Sequence, residues 1–341
     1  MSTLQLRASD ADGVEAILQH GGDGLRERMA RVESHLDVLT AGAGAPLARH
    51  ANATIRAGGK RLRPLLVVLA AESAGGPPET HDGELCLVRA AVAVELVHSA
   101  TLVHDDLIDG AALRRGHPTV ASVGGPGAAI ATGDLLFSLA FAELARNRSV
   151  TQLHALSEAS SALASGELLQ REDVYAPDVS VERYLRRCEL KTAALFEAAC
   201  RLGALTAERA SRRLADALGA FARRVGLAFQ MLDDVLDVSG PVERTGKPRG
   251  TDLLEGTVTL PLILARARDP ELAAFDLASL RTARQALELC ERIAATGALQ
   301  IARERALAVV AEAKAALPPI VPPGRSMPLY LVADAVVERY R

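Results

Sequence analysis

The chain has 341 residues, 49% of them hydrophobic and 3% aromatic, with no tryptophan and a formal net charge of −3. That balance excludes the basic footprint of a general nucleic-acid binder, and the shortage of aromatic rings removes stacking platforms for bases. The chain is long enough to bury a sizeable core, and lacking a run of about 18 uncharged apolar residues it is expected to have no membrane-spanning helix.

Alanine, leucine and arginine dominate, a composition that favours helix, so an all-α fold is predicted, with no composition break inside residues 1–341 to divide it into domains. Cys86, Cys188, Cys200 and Cys290 are scattered without paired spacing, which fits reduced thiols in a cytosol better than disulfides or a zinc site. The stretch Met1 to Arg7 has no basic segment followed by an apolar core, so no secretory signal is expected and the predicted location is cytoplasmic.

Between Gly13 and His50, Leu25, Met29, Val32, Leu36 and Leu39 recur at helical spacing and predict an amphipathic helix pair; residues 1–50 therefore offer a packing or dimer face. Gly58-Gly59-Lys60-Arg61-Leu62-Arg63-Pro64 interrupts the pattern. Two glycines permit a tight turn and Pro64 suits the first turn of a new helix, so Lys60 and Arg63 reach a helix start, where backbone amides and cations together attract anions. An ordinary basic turn would read the same way.

After a loop at Gly75 to Pro78, a helix is predicted from about Glu84. It is nearly all apolar from Ala90 to Val103 and then delivers Asp105, Asp106 and Asp109. Isolated charges are costly in such a place, so something cationic must meet them. At about 100° per residue the three acids share one sector, with Asp105 and Asp109 one turn apart. Hard oxygen ligands at that spacing suit Mg²⁺, which keeps waters and takes its remaining ligands from substrate phosphates. His98 lies two turns before Asp105 on the same stripe, and Arg114-Arg115-Gly116 follows closely, able to answer the acids or to grip phosphate.

Ser122 to Gly133 reads as a glycine-rich connection, and Asp134 to Arg146 as a helix with Phe137 and Phe141 in the core. A helix from Ala155 to Gln170 follows, then a loop with Asp178 and Ser180 as cap candidates, then a helical pattern from Glu182 to Leu205. Within it Lys191 and Thr192 sit among apolar residues, and a buried lysine needs a partner. The helix from about Ser211 ends in Phe229 to Asp237, which repeats the Asp-Asp-x-x-Asp spacing as Asp233, Asp234 and Asp237. Two such motifs on facing helices would bring six carboxylates together, enough to hold several divalent cations and a diphosphate. The loop from Ser239 to Asp252 is a lid candidate; Thr259-Leu260-Pro261 restarts helix. Two helices joined at Ala295 to Gly297 run to Ala316, and a proline-rich linker, Pro318 to Pro328, precedes a last helix.

Gly58 to Pro64, His98 to Asp109 with Arg114 to Gly116, Gly166 to Gln170, Lys191 to Cys200, Phe229 to Asp237 and Gly246 to Pro261 occur in one order across the chain. In this the sequence resembles the trans-isoprenyl diphosphate synthases, or polyprenyl synthetases. The resemblance implies an isoprenoid-synthase-type helical bundle around a deep central cavity, a homodimer, and Mg²⁺ as cofactor, about three ions to a site. It implies that Asp105, Asp109 and Asp233 ligate metal, that Asp237 belongs to the metal-binding set, and that Asp106 and Asp234 support the cluster and, with Lys191, catalysis. Lys60, Arg63, His98 and Arg115 match the positions that hold isopentenyl diphosphate; Arg114, Lys191, Thr192, Gln230 and Lys247 match those around the allylic diphosphate.

Ala100 and Thr101 stand where short-chain members carry bulky aromatics, and the first motif lacks their common two-residue insertion, so a product longer than farnesyl is expected; Val97, Phe137 or Phe141 are further candidates to close the tunnel. Two departures stand out: Glu255-Gly256-Thr257 has threonine for the family's lysine, and Gly124-Gly125-Pro126-Gly127 lacks a common tryptophan. A class I terpene cyclase would share the first acidic motif but needs no second substrate site. A non-catalytic subunit of a related synthase would be expected to have eroded motifs, whereas both are complete.

Overall fold

The computed structural model describes residues 8–42, 44–240, 248–317, 320–321 and 323–338. They are almost wholly helical. In chain order the helices are α1 (Ala8–Ala41), α2 (Ala45–Arg56), α3 (Leu62–Ser73), α4 (His81–Ile108), α5 (Val120–Ala145), α6 (Val150–Glu172), α7 (Val181–Cys188), α8 (Ala194–Thr206) and α9 (Arg212–Ser239). Then come α10 (Thr251–Leu254), α11 (Leu260–Arg266), α12 (Pro270–Ala273), α13 (Ala283–Ala295), α14 (Ala298–Ala316) and α15 (Pro323–Glu338). A two-residue hairpin, β1 (Leu113–Arg114) with β2 (His117–Pro118), is the only sheet among the described residues.

Contacts divide the chain into two compact units. The first is Met1–Ser160, Leu195–Ala222 and Ala316–Ala335; the second is Ser161–Ala194, Arg223–Ala315 and Val336–Arg341.

In the first unit α4 packs against α1, α3 and α5. Every residue from Ala90 to Val97 is buried, and so is every residue from Pro64 to Ala71 on α3. Glycines set the close approaches. A Cβ on Gly133 of α5 would lie 2.1 Å from His104 Nε2 on α4, and one on Gly203 of α8 would lie 2.0 Å from the Val67 carbonyl oxygen on α3. In the second unit α11 meets α7 and α13, and α10 meets α13; the buried Arg187 of α7 donates to Asp173 Oδ2 (3.1 Å) and to the Val258 carbonyl (2.6 Å). Side-chain caps close the helix starts where the sequence offers them: Ser180 accepts from the Arg183 amide, and Thr282 with Gln285 forms a capping box.

Several expectations are corrected. Ser122 to Gly133 is not a connection but part of α5, which starts at Val120 under a Thr119 cap and is broken only at Gly125 (φ 78°). Glycine disfavours helix by about 1 kcal/mol, yet here it lets α5 lie close to α4, and packing outweighs propensity. Phe137 and Phe141 are half-buried rather than core. The last helix begins at Pro323 and runs through Pro328, because Ser326, Leu329, Val332 and Ala333 are buried along it. By length and composition alone α4 and α5 could each cross a membrane, and the apolar stretch of α4 is 72% buried inside the protein and that of α5 39%.

Candidate active site

In the first unit the chemistry gathers where α4 ends. Asp105 and Asp106 lie in its last turn and Asp109 is its C-cap, so the negative end of the helix dipole meets three carboxylates. Asp106 is buried and accepts from Arg114 Nε at 2.7 Å, while Asp105 is half-buried and Asp109 exposed. The hairpin returns the chain through Arg115 (φ 53°) and Gly116 (φ 82°), and the Arg115 guanidinium lies against Gly59, where an added Cβ would meet Nη1 at 2.7 Å.

Around that turn the cations have different surroundings. Arg61 donates to Glu33 and Glu95, each at 2.6 Å, and to the Ile55 carbonyl at 2.8 Å; burial opposes its charge, but the glutamates outweigh burial and raise its pKa. Arg63 has a buried Nε with no hydrogen-bond partner, and its guanidinium lies 4.9 Å from the centroid of the Phe196 ring. Burial pushes its pKa down to about 10, with Glu95 opposing and Arg115 adding to the fall. His98 is held well below the usual imidazole range by burial and then by Arg63, Arg115, Arg114 and Arg61, so it is neutral in a positive field. The half-buried Lys60 completes the turn. Of the predicted set, Arg63 and Arg115 are brought to His98 within this unit, with Arg61 beside them, while Lys60 lies in the same turn. Val97 and Ala100 are fully buried, and the half-buried Thr101 spends its hydroxyl on the His98 carbonyl (2.8 Å).

The second unit carries the other motif near the end of α9. Asp234 is buried and accepts from the Tyr184 hydroxyl (2.6 Å) and from Gln230 Nε2 (2.8 Å), and Thr192 donates to Gln230 Oε1 (2.8 Å). Burial, then Asp252, pushes Asp234 up to about 7 against the pull of Tyr184, Gln230 and Arg187. Asp233 and Asp237 are half-buried; Asp237 accepts from the Gly250 amide through its carbonyl (2.9 Å) and from the Asp252 amide through Oδ2 (3.4 Å).

Lys191 lies in a π-turn, Glu189–Ala193, between α7 and α8. Its ammonium bonds Glu167, which also accepts from Arg171 Nε (2.9 Å). Burial raises the Glu167 pKa, but Lys191 and Arg171 together bring it below the usual carboxylate range. Gly166 makes the fit possible, since a Cβ there would lie 2.5 Å from the Lys191 backbone nitrogen. The departure at Thr257 is a half-buried turn residue whose amide bonds the Asp252 carbonyl (2.8 Å). Lys247 and half of the lid candidate, residues 241–247, lie outside the described residues.

Four participants were not singled out from sequence: Arg61, Tyr184, Glu167 and Phe196. Lys191 did signal that an acid was missing, and Glu167 is that acid. Among the described residues no three aspartate, glutamate, histidine or cysteine side chains gather into a metal-ligating cluster. In kind, the donors fit a hard cation. Both motifs offer carboxylate oxygens, and in each the middle aspartate is already hydrogen-bonded to protein while the flanking ones are half-buried or exposed.

A family model described as polyprenyl synthetase matches residues 45–295. A heptaprenyl diphosphate synthase component 2 from Geobacillus stearothermophilus is 39% identical over 251 residues, covering 74% of this chain and 76% of that protein. A geranylgeranyl diphosphate synthase from Methanosarcina mazei is 34% identical over 323 residues, 93% of this chain and 97% of its own length. Among solved structures, a polyprenyl synthase from Caulobacter crescentus CB15, complexed with calcium and isoprenyl diphosphate, superposes with a TM-score of 0.88 at 34% identity, covering 96% of this chain and 98% of that one.

Proposed function

The chain belongs to the polyprenyl synthetase family and is a prenyltransferase, and from that premise we propose that it condenses isopentenyl diphosphate with an allylic prenyl diphosphate, giving an all-trans product of geranylgeranyl length or longer. The observation that carries this reading is the basic turn before α3, where the Arg63 guanidinium keeps a buried Nε without a hydrogen-bond partner and the Arg115 guanidinium packs against Gly59, a place suited to a strongly negative group.

Lys60, Arg63, His98 and Arg115 hold the diphosphate of isopentenyl diphosphate. Lys191, Thr192, Gln230, Arg114 and Lys247 hold that of the allylic substrate, Lys191 by exchanging Glu167 for phosphate oxygen. Asp105, Asp109, Asp233 and Asp237 would hold Mg²⁺, with Asp106 and Asp234 fixed behind them by Arg114 and by Tyr184 and Gln230. When bound, the metal neutralises charge on the leaving diphosphate. The allylic C–O bond breaks with its electron pair going to pyrophosphate, and the double bond of isopentenyl diphosphate forms the new C–C bond. A proton is then lost from the adjacent carbon to pyrophosphate, restoring an alkene. Arg114 and Lys191, already held in place by Asp106 and Glu167, supply positive charge to the departing anion.

Ala100 and Thr101 are small and Val97 is buried, which supports a long product, while Phe137, with its ring centroid 6.0 Å from that of His104, is the aromatic side chain beside the first motif. The partly covered apolar stretch of α5, with Val123 and Ile130 exposed, supports a homodimer, and four free thiols support a cytoplasmic setting. A second reading, a subunit active only with a partner chain, is favoured by the component 2 description of the Geobacillus relative.

The test is mass spectrometry of products from purified protein, Mg²⁺, isopentenyl diphosphate and dimethylallyl, geranyl, farnesyl or geranylgeranyl diphosphate. Extension to one terminal length at or beyond geranylgeranyl is expected. A farnesyl stop overturns the chain-length proposal. No extension from any primer, restored by a related chain, establishes the subunit reading.

A further inference from the structure

Arg61 and Arg63 are two residues apart at the start of α3, yet they are held by opposite means. Arg61 is answered by two glutamates and a carbonyl, so its donors are committed and its charge is cancelled inside the protein. Arg63 has an aromatic ring instead. Phe196 is fully buried in the first turn of α8, and the Arg63 guanidinium carbon stands 4.9 Å from its centroid while Nε stays without a hydrogen-bond partner.

The difference matters because of where each partner acts on a guanidinium. A carboxylate takes the N–H donors at the edge of the plane, and a diphosphate would have to displace it. A ring attracts the charge through the face and leaves the edge donors for a ligand. Arg63 therefore remains charged at neutral pH in a place withdrawn from water, steadied but not neutralised.

Packing explains how the ring comes to lie there. Phe196, Cys200 and Gly203 recur at helical spacing along one stripe of α8. Cys200 Sγ lies 3.8 Å from the Leu66 carbonyl, and Gly203 meets Val67 and Ala70, so α8 is drawn close to α3 with Phe196 facing Arg63. We propose that Phe196 is a positioning residue that holds the Arg63 guanidinium, charged and with its edge open, for the diphosphate of isopentenyl diphosphate. This rests on the placement of that substrate at Arg63 proposed above.

The experiment combines Phe196→Leu and Arg63→Met, alone and together, with calorimetry of isopentenyl diphosphate binding and steady-state KM for both substrates. Loss of the ring face is expected to weaken isopentenyl diphosphate binding about 3- to 30-fold, with the KM for the allylic substrate unchanged. In the Arg63→Met background it should have no further effect. Unaltered binding in Arg63→Met would remove the substrate from this site. Weakened binding in Arg63→Met, with Phe196→Leu either silent or additive to it, would leave the site standing and overturn the role of Phe196. Equal losses for both substrates would mark Phe196 as structural only. Should Phe196→Leu fail to fold, trifluorophenylalanine at 196 keeps the shape and drains the ring's negative face; binding equal to wild type would refute the proposal.

Discussion

The two Asp-Asp-x-x-Asp motifs share a spacing but sit in opposite electrostatic settings. In the first unit the buried middle acid, Asp106, is answered by a cation, Arg114, and the nearby cradle of Arg63, Arg115 and His98 carries surplus positive charge. In the second, Asp234 is answered by neutral donors, Tyr184 and Gln230, and stays only partly compensated, pushed up to about 7. Charge answers charge near the helix end in one case; hydrogen bonds carry a reluctant carboxylate in the other. Spacing alone therefore does not set the surroundings of a motif: the same three acids are met by a cation in one unit and by neutral donors in the other.

The largest expected effect ignores that difference. Asp105→Ala and Asp233→Ala should each lower kcat by at least about 100-fold, the scale of losing one electrostatic element of a transition state. Both should stay folded by circular dichroism, since removing one acid from a like-charged group relieves repulsion. If one variant keeps near wild-type turnover, its motif does not bind metal and the symmetry of the two ends there.

Much of this was legible in the sequence. The cations from Lys60 to Arg63, both acidic motifs and the need of Lys191 for a counter-ion all follow from residue type and spacing. Tyr184 was not legible. It precedes Lys191 by seven residues, but the π-turn at Glu189–Ala193 inserts an extra residue and rotates the following face, so regular helical spacing misassigns what points where. Phe196 was hidden for another reason, since its role depends on how closely α8 meets α3 at Gly203, a tertiary distance no local pattern encodes. The glycines from Gly124 to Gly133 misled in the opposite direction, reading as loop where they permit close helix packing.

Two matched substitutions sharpen the contrast. Tyr184→Phe leaves a buried acceptor short of one donor and should lower unfolding free energy by about 1–3 kcal/mol, with little response to salt because the lost donor is neutral. Arg114→Gln removes a cation whose side chain is 30% exposed, so water already screens the pair. About 1 kcal/mol is expected, shrinking as salt rises from low ionic strength to about 1 M. Urea unfolding at both ionic strengths decides it. Equal salt dependence in the two variants would mean the motifs are held alike.

A pH-dependent effect reports on the positive cradle itself. His98 has a folded-state pKa well below 6.5, through burial and then through Arg63, Arg115, Arg114 and Arg61. Below pH 6.5 the unfolded chain takes up a proton there that the folded chain refuses, so stability must fall with pH, by up to about 1.4 kcal/mol per unit for one such group. His98→Gln should lose that share of the slope. An anion in the cradle opposes the arginines and raises the folded pKa, so saturating pyrophosphate should flatten the wild-type slope while leaving His98→Gln unchanged. A wild-type slope indifferent to pyrophosphate would place the anion elsewhere. The field that keeps His98 neutral would then be structural, and the first unit would no longer differ from the second in holding charge for a ligand.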